Sequence, residues 1–131
     1  MEMIITFPGN KKVDAEYRGH TIRTDQPTLG GGDGSAPAPF DLFLASIGTC
    51  SGVYIVDFCK NRGIPTDNIR IIQNMVRDQE KKMITGITLD IEVPADFPEK
   101  YMESLKKVVD LCAVKRHILN APSFEINVVA K

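Results

Sequence analysis

Three cysteines, Cys50, Cys59 and Cys112, are the residues of this chain best suited to covalent chemistry. A thiolate can act as nucleophile, metal ligand or half of a disulfide, and its neighbours decide which. Two of the three share the stretch FDLFLASIGTCSGVYIVDFC, residues 40–59, which carries no charge between Asp41 and Asp57. Read as a helix, it puts Cys50 and Cys59 on opposite faces, roughly 13 Å apart along the axis. A disulfide needs Cα atoms within about 7 Å, so these two cannot pair. Cys59, beside Lys60, reads as a packed small hydrophobe. Cys50 is flanked by Gly48 and Gly52 and adjoined by Thr49 and Ser51. Each Gly costs a helix about 1 kcal/mol relative to Ala, so the pair signals close packing of another backbone, or access to the sulfur. Cys112 ends the apolar row Tyr101, Leu105, Val108 and Cys112, spaced as one helical face. It points inward and is the intrachain partner left for Cys50.

The other polar features carry less chemistry. GGGDG, residues 30–34, lacks the Gly-Lys-Ser/Thr ending of a phosphate loop. It reads as a mobile loop beside the site, in the manner of a lid. His117 sits in a basic run with Lys115 and Arg116 and reads as a surface helix end, as Lys106 and Lys107 read as a solvent face. Two histidines and no CxxC pair argue against a structural zinc site, and no metal is expected.

The elements that must position these residues follow from the pattern. Residues 3–7, 13–17 and 21–25 read as strands joined by PGNKK and RGH turns. A long Gly- and Pro-rich loop follows, then a helix over residues 39–61, with Pro39 in its first turn and Gly63 and Pro65 ending it. Residues 69–77 read as a strand. Ile87, Leu89, Ile91 and Val93 alternate with polar residues in the next. A second helix opens at ADFPEK with Asp96 as cap, AVKRHILN forms a third, and Phe124, Ile126 and Val128 mark a last strand. The order β-β-β-α-β-β-α-α-β is an α+β fold with antiparallel sheets and a long buried central helix. That helix is apolar nearly all round and must be covered on every side. A sheet from one small domain covers one side, so a second copy is expected to cover the other in a two-fold dimer.

At 131 residues the chain is expected to form a single domain, 1–131. Its net charge of −1 gives no reason to expect nucleic acid or an anionic membrane as partner. Leu42 to Val56, the uncharged part of the first helix, would span roughly 22 Å, short of a bilayer core of about 30 Å, so no membrane span is expected. No basic region followed by an apolar stretch opens the sequence, and the cysteines are few and odd in number. A cytoplasmic location with free or redox-active thiols is expected.

One resemblance covers essentially the whole chain. The run Pro39-Phe40-Asp41-Leu42-Phe43-Leu44-Ala45-Ser46-Ile47-Gly48-Thr49-Cys50, followed about 60 residues later by Cys112-Ala113-Val114-Lys115-Arg116, resembles the paired motif of the OsmC/Ohr family of thiol peroxidases. The resemblance implies an OsmC-like fold, an intertwined homodimer with sites built from both subunits, and reduction of organic and fatty-acid hydroperoxides without a metal or flavin cofactor. It implies a peroxidatic role for Cys50 and a resolving role for Cys112, with an external dithiol, lipoyl groups among them, as reductant. Better characterised members carry a Glu after the motif proline, paired with a catalytic Arg. Here Phe40 stands there and Asp41 follows, which resembles a broader OsmC-like branch. The family takes its Arg from the region before the central helix, which makes Arg23 the first candidate and Arg18 the second; Arg116 is a third. Phe43, Ile47, Tyr54 and Phe58 are the expected apolar substrate wall. The other readings are a redox-sensing or apolar-ligand-binding dimer without turnover, and sulfur or acyl handling at Cys50.

Overall fold

A computed structural model describes residues 1–131, which divide into two compact units, Met1–Ala45 and Ser46–Lys131. In the first unit β1 (Ile4–Gly9), β2 (Lys12–Tyr17) and β3 (His20–Thr24) form an antiparallel meander in the order β1-β2-β3. Tyr17 pairs with His20 across a two-residue turn in which Arg18 and Gly19 both have positive φ, 49° and 78°. That twist matches the right-handed twist of the strands it joins.

The Gly-rich loop that follows is held by hydrogen bonds around Asp25 and Asp33. Asp25 is fully buried, and its carboxylate accepts hydrogen bonds from the Gln26 N–H at 2.7 Å, the Ser35 N–H at 3.0 Å and the Ser35 hydroxyl at 2.6 Å. The Asp25 N–H donates to Pro37 O, and the Gly32 N–H to Pro27 O, both at 3.1 Å. Asp33 pairs with Lys12 and accepts from Asn10 Nδ2 at 3.0 Å, which fixes the loop to the first hairpin. A Cβ on Gly32 would lie 2.0 Å from Gln26 O, so only glycine fits there.

Helix α1, Pro39–Lys60, begins in the first unit and continues into the second. It ends where Gly63 turns left-handed at φ 65° and the Ile64 N–H reaches back to Cys59 O at 2.9 Å. In the second unit β4 (Arg70–Asp78) and β5 (Met83–Glu92) form a two-stranded antiparallel sheet. The Asp78 carboxylate holds the turn between them by accepting from the N–H groups of Glu80 and Lys81.

The helical region departs from expectation in two places. A 3-10 turn, Glu99–Tyr101, precedes α2 (Met102–Val109), so no side chain caps that helix and Asp96 is not its cap. Buried Phe97 and extended Pro98 bring the chain in through the tighter turn instead. Helix α2 also stops before Cys112, which is the N-cap of α3, Ala113–Leu119. A third departure is the last strand. Residues 121–131 form no strand and are exposed throughout, because no strand of the chain lies alongside to complete a ladder.

The core of the second unit joins Ile55, Phe58 and Cys59 of α1 to Phe97, Leu105 and Val109, with Ile71, Leu89 and Ile91 of the sheet packed against them. Only Ile47, Ser51, Ile55, Phe58 and Cys59 of α1 are buried, whereas Phe40, Phe43, Val53 and Val56 are exposed. The complete covering expected for this helix is therefore not supplied by one chain. By length and composition α1 is enough to cross a membrane, contrary to the estimate from its uncharged stretch alone. Its buried positions are those of a helix that forms a core.

Candidate active site

The second unit brings Cys50 and Cys112 together. Cys50 is half-buried on α1, Cys112 is 1% exposed, and all three cysteines are free thiols. Cys112 Sγ lies 3.9 Å from Ile47 O, one helical turn before Cys50, and its thiol is also within hydrogen-bonding reach of the Cys50 sulfur. One S–H proton serves one acceptor at a time, so Cys112 donates either to the Ile47 carbonyl or to Cys50. The break between α2 and α3 makes this juxtaposition. It turns the chain at Cys112 and aims the first backbone amides of α3 at the same sulfur.

Those amides decide the character of Cys50. The Val114 N–H, then the Cys112 thiol, and further the Ala113 N–H and the charge of Arg116 hold its thiol below the ordinary thiol range. Burial opposes them, since it disfavours the thiolate. Cys59 goes the other way. Burial pushes its thiol up, only partly offset by Arg62, as befits a packed and unreactive sulfur.

The remaining expected site residues are dispersed. Asp41 accepts from the Ala38 N–H at 3.3 Å, while its own N–H donates to Ala38 O, so its carboxylate caps the helix that carries it. Arg23 stands exposed on β3 opposite Asp14, and Arg18 lies 5.0 Å over the ring of Tyr17. Phe43 stacks on Phe40 at 5.6 Å near the start of α1. Phe58 belongs to the core, with Arg62 lying 3.7 Å over its ring and Tyr101 edge-on. Phe58 and Tyr54 line a shallow cleft with Arg62 and Lys107. Of the four wall candidates, Ile47 lines the larger cavity.

That cavity measures about 600 Å³. Its floor is apolar, from Ile47 of α1, Ile87, Leu89 and Ile91 of β5, Val109 and Ile118. Its rim is charged, with Lys106, Lys107, Glu103 and the Lys115–Asp110 ion pair. Ile47 belongs both to this floor and, through its carbonyl, to the thiol pair. No group of three or more His, Cys, Asp or Glu side chains is arranged to hold a metal ion.

Sequence reading missed the amides of Ala113 and Val114. The available signal was the start of a helical run at Ala113, whose first N–H groups have no partner within the helix and can turn toward a neighbouring sulfur. It also left the purpose of the flanking glycines open. A Cβ on Gly48 would lie 2.6 Å from Gln73 Oε1 of β4, so that glycine leaves room for the end of the Gln73 side chain.

The profile of the OsmC family, described as OsmC-like protein, matches residues 32–127, which takes in both cysteines of the pair. The chain belongs to the OsmC-like family. No curated protein matches it. Solved structures share the OsmC-like fold at low identity. A Psychrobacter arcticus protein, described as a possible osmotic stress induced and detoxification response protein, is 19% identical with a TM-score of 0.73, over 87% of this chain and 85% of that one. An OsmC-like protein from Mycoplasma pneumoniae is 12% identical with a TM-score of 0.69, over 92% and 87%. The organic hydroperoxide resistance protein OhrB of Bacillus subtilis is 17% identical with a TM-score of 0.53, over 89% and 90%.

Proposed function

We propose that the protein is a cysteine-based peroxidase that reduces organic hydroperoxides, with Cys50 as peroxidatic and Cys112 as resolving residue. The observation that carries this reading is the half-buried Cys50 sulfur, held toward the thiolate by the Val114 and Ala113 amides and set beside a buried second thiol. The Cys50 thiolate attacks the terminal oxygen of the hydroperoxide. The O–O bond breaks, the alkoxide leaves and takes a proton as the alcohol, and Cys50 becomes a sulfenic acid. The Cys112 thiol then attacks that sulfur and expels water, leaving a Cys50–Cys112 disulfide. An external dithiol, of which a lipoyl group is one kind, returns both sulfurs to thiols. An apolar floor with a lysine rim suits an amphipathic peroxide better than hydrogen peroxide. A cytoplasmic homodimer is part of the same reading, the second copy covering Phe40, Phe43, Val53 and Val56 of α1.

A second reading keeps the pair of thiols and drops turnover, making the protein a redox sensor or a carrier of apolar ligands. It is favoured by Asp41, whose carboxylate serves its own helix and has Phe40 before it in place of a Glu. Intact mass after stoichiometric cumene hydroperoxide separates the readings from no reaction at all. A loss of two mass units is expected, faster than with hydrogen peroxide, absent in Cys50→Ser, and replaced by oxygen adducts in Cys112→Ser. If the reduced wild type stays unoxidised, the peroxidase reading fails. If it oxidises but no dithiol supports repeated turnover, the sensor reading takes its place.

A further inference from the structure

The shallow cleft that holds Tyr54 and Phe58 takes no part in the thiol chemistry. It lies between the last turns of α1 and α2, and neither Cys50 nor Cys112 lines it. At about 420 Å³ it is large enough for a small organic molecule. Its charged walls are Asp57, Arg62 and Lys107, and its neutral polar ones are Tyr54, Asn61 and Ser104.

These groups face one space without pairing. The Asp57 carboxylate forms no ion pair with Arg62 or Lys107. The side chains of Tyr54, Asn61 and Ser104 bond to no other protein group. Arg62 is the fixed point among them. Its guanidinium lies 3.7 Å from the centroid of the Phe58 ring and 5.2 Å from that of Tyr101, and Nη1 donates to Phe58 O at 3.0 Å. Stacking and one hydrogen bond thus hold the planar fork in place, and most of its five N–H donors stay available. A fork held in this way suits a carboxylate taken in two hydrogen bonds. Asp57 stands in the last turn of α1, where the helix carbonyls also favour a cation.

We propose that this cleft binds a small zwitterion of the α-amino acid type. Arg62 and Lys107 take its carboxylate, Asp57 takes its ammonium, and its side chain lies along Phe58 and Val108. A plain anion leaves Asp57 unanswered beside it, and a plain cation meets Arg62 and Lys107. A molecule carrying both charges satisfies all three, which makes the unpaired carboxylate the source of selectivity. The site stands or falls independently of the peroxidase reading.

Amide chemical shifts of the reduced full chain, titrated with L-phenylalanine, hydrocinnamate, phenethylamine and inorganic phosphate, test this. Phenylalanine is expected to saturate, with shifts centred on residues 57–62 and 104–108. Hydrocinnamate lacks the ammonium and phenethylamine the carboxylate. Each is expected to bind about threefold or more weakly, as loss of one exposed ion pair requires. Asp57→Asn should weaken phenylalanine by that factor without weakening hydrocinnamate, and Lys107→Gln should weaken both. Both side chains are exposed and outside the buried cluster, so the variants keep the core. No saturation by about 10 mM phenylalanine, beyond the millimolar range of weak complexes, overturns the site. Hydrocinnamate or phosphate binding as tightly as phenylalanine overturns the zwitterion in favour of a plain oxyanion site. Phenethylamine binding as tightly overturns the role of Arg62 and Lys107. Shifts centred elsewhere overturn the assignment to this cleft.

Discussion

Replacing Arg116 with Ala removes a positive charge from the surroundings of Cys50 while leaving the Ala113 and Val114 amides in place. The thiolate loses one stabilising interaction, so the midpoint of iodoacetamide alkylation at Cys50 is expected to move to higher pH. Arg116→Lys, which keeps the charge, should hold it near the wild-type value. The same shift couples to folding. A thiol whose pKa is lowered in the folded state contributes stability above its unfolded pKa of about 8.5, lost as pH falls through the folded value. Asp25 follows the same rule in a lower range. The Ser35 hydroxyl, first, and then the Ser35 and Gln26 amides hold its carboxyl well below the usual carboxylate range, against burial. Its contribution is present above about pH 3.9 and lost as pH falls further. Acid titration followed by circular dichroism should show a transition that Asp25→Asn flattens, since the amide has no carboxylate to protonate.

At the scale of elements, Gly48 of α1 leaves room for the Gln73 side chain of β4. Gly48→Ala gains about 1 kcal/mol of helix propensity but pushes against Gln73 Oε1. Chemical denaturation should find the substitution more favourable in a Gln73→Ala background than in wild type, and equal effects in both would contradict the contact. Gly32→Ala has no such relief, since its Cβ meets backbone, and is expected to destabilise the first unit by about 1–3 kcal/mol. These positions mark what the sequence could and could not convey. The strands of both sheets and α1 were legible because periodicity and turn residues such as Arg18-Gly19 act locally. Cys112 was legible as an inward residue. Its place at the N-cap of α3 was not, because Tyr101, Leu105, Val108 and Cys112 keep helical spacing straight through the point where α2 stops. The alternation at 124–128 led to an expected strand that the structure does not form, since a pattern cannot supply a partner. Asp25 went unnoticed because its burial arises from a loop closing over it.

For the whole molecule, the exposed apolar side of α1 is the main quantity to test. Size-exclusion chromatography with light scattering is expected to give a dimer, and a stable monomer would remove the argument that a second copy covers Val53 and Val56. Val53→Lys with Val56→Lys should shift the protein toward monomer without opening the core, since both side chains are exposed and neither belongs to the buried cluster. Leu105→Ala acts inside the core instead and is expected to cost about 2–5 kcal/mol, typical of a fully buried leucine.

The unequal exposure of the two thiols also sets a direction for repair. Were the Cys50–Cys112 bond to form, a thiol arriving from solvent would meet the half-buried Cys50 sulfur and not Cys112, sealed at 1% exposure. Exchange would then pass through an adduct on Cys50, with Cys112 always the leaving group. Early quenching of the oxidised wild type with a small thiol and an alkylating agent should leave the mixed disulfide on Cys50 and the alkylated thiol at Cys112.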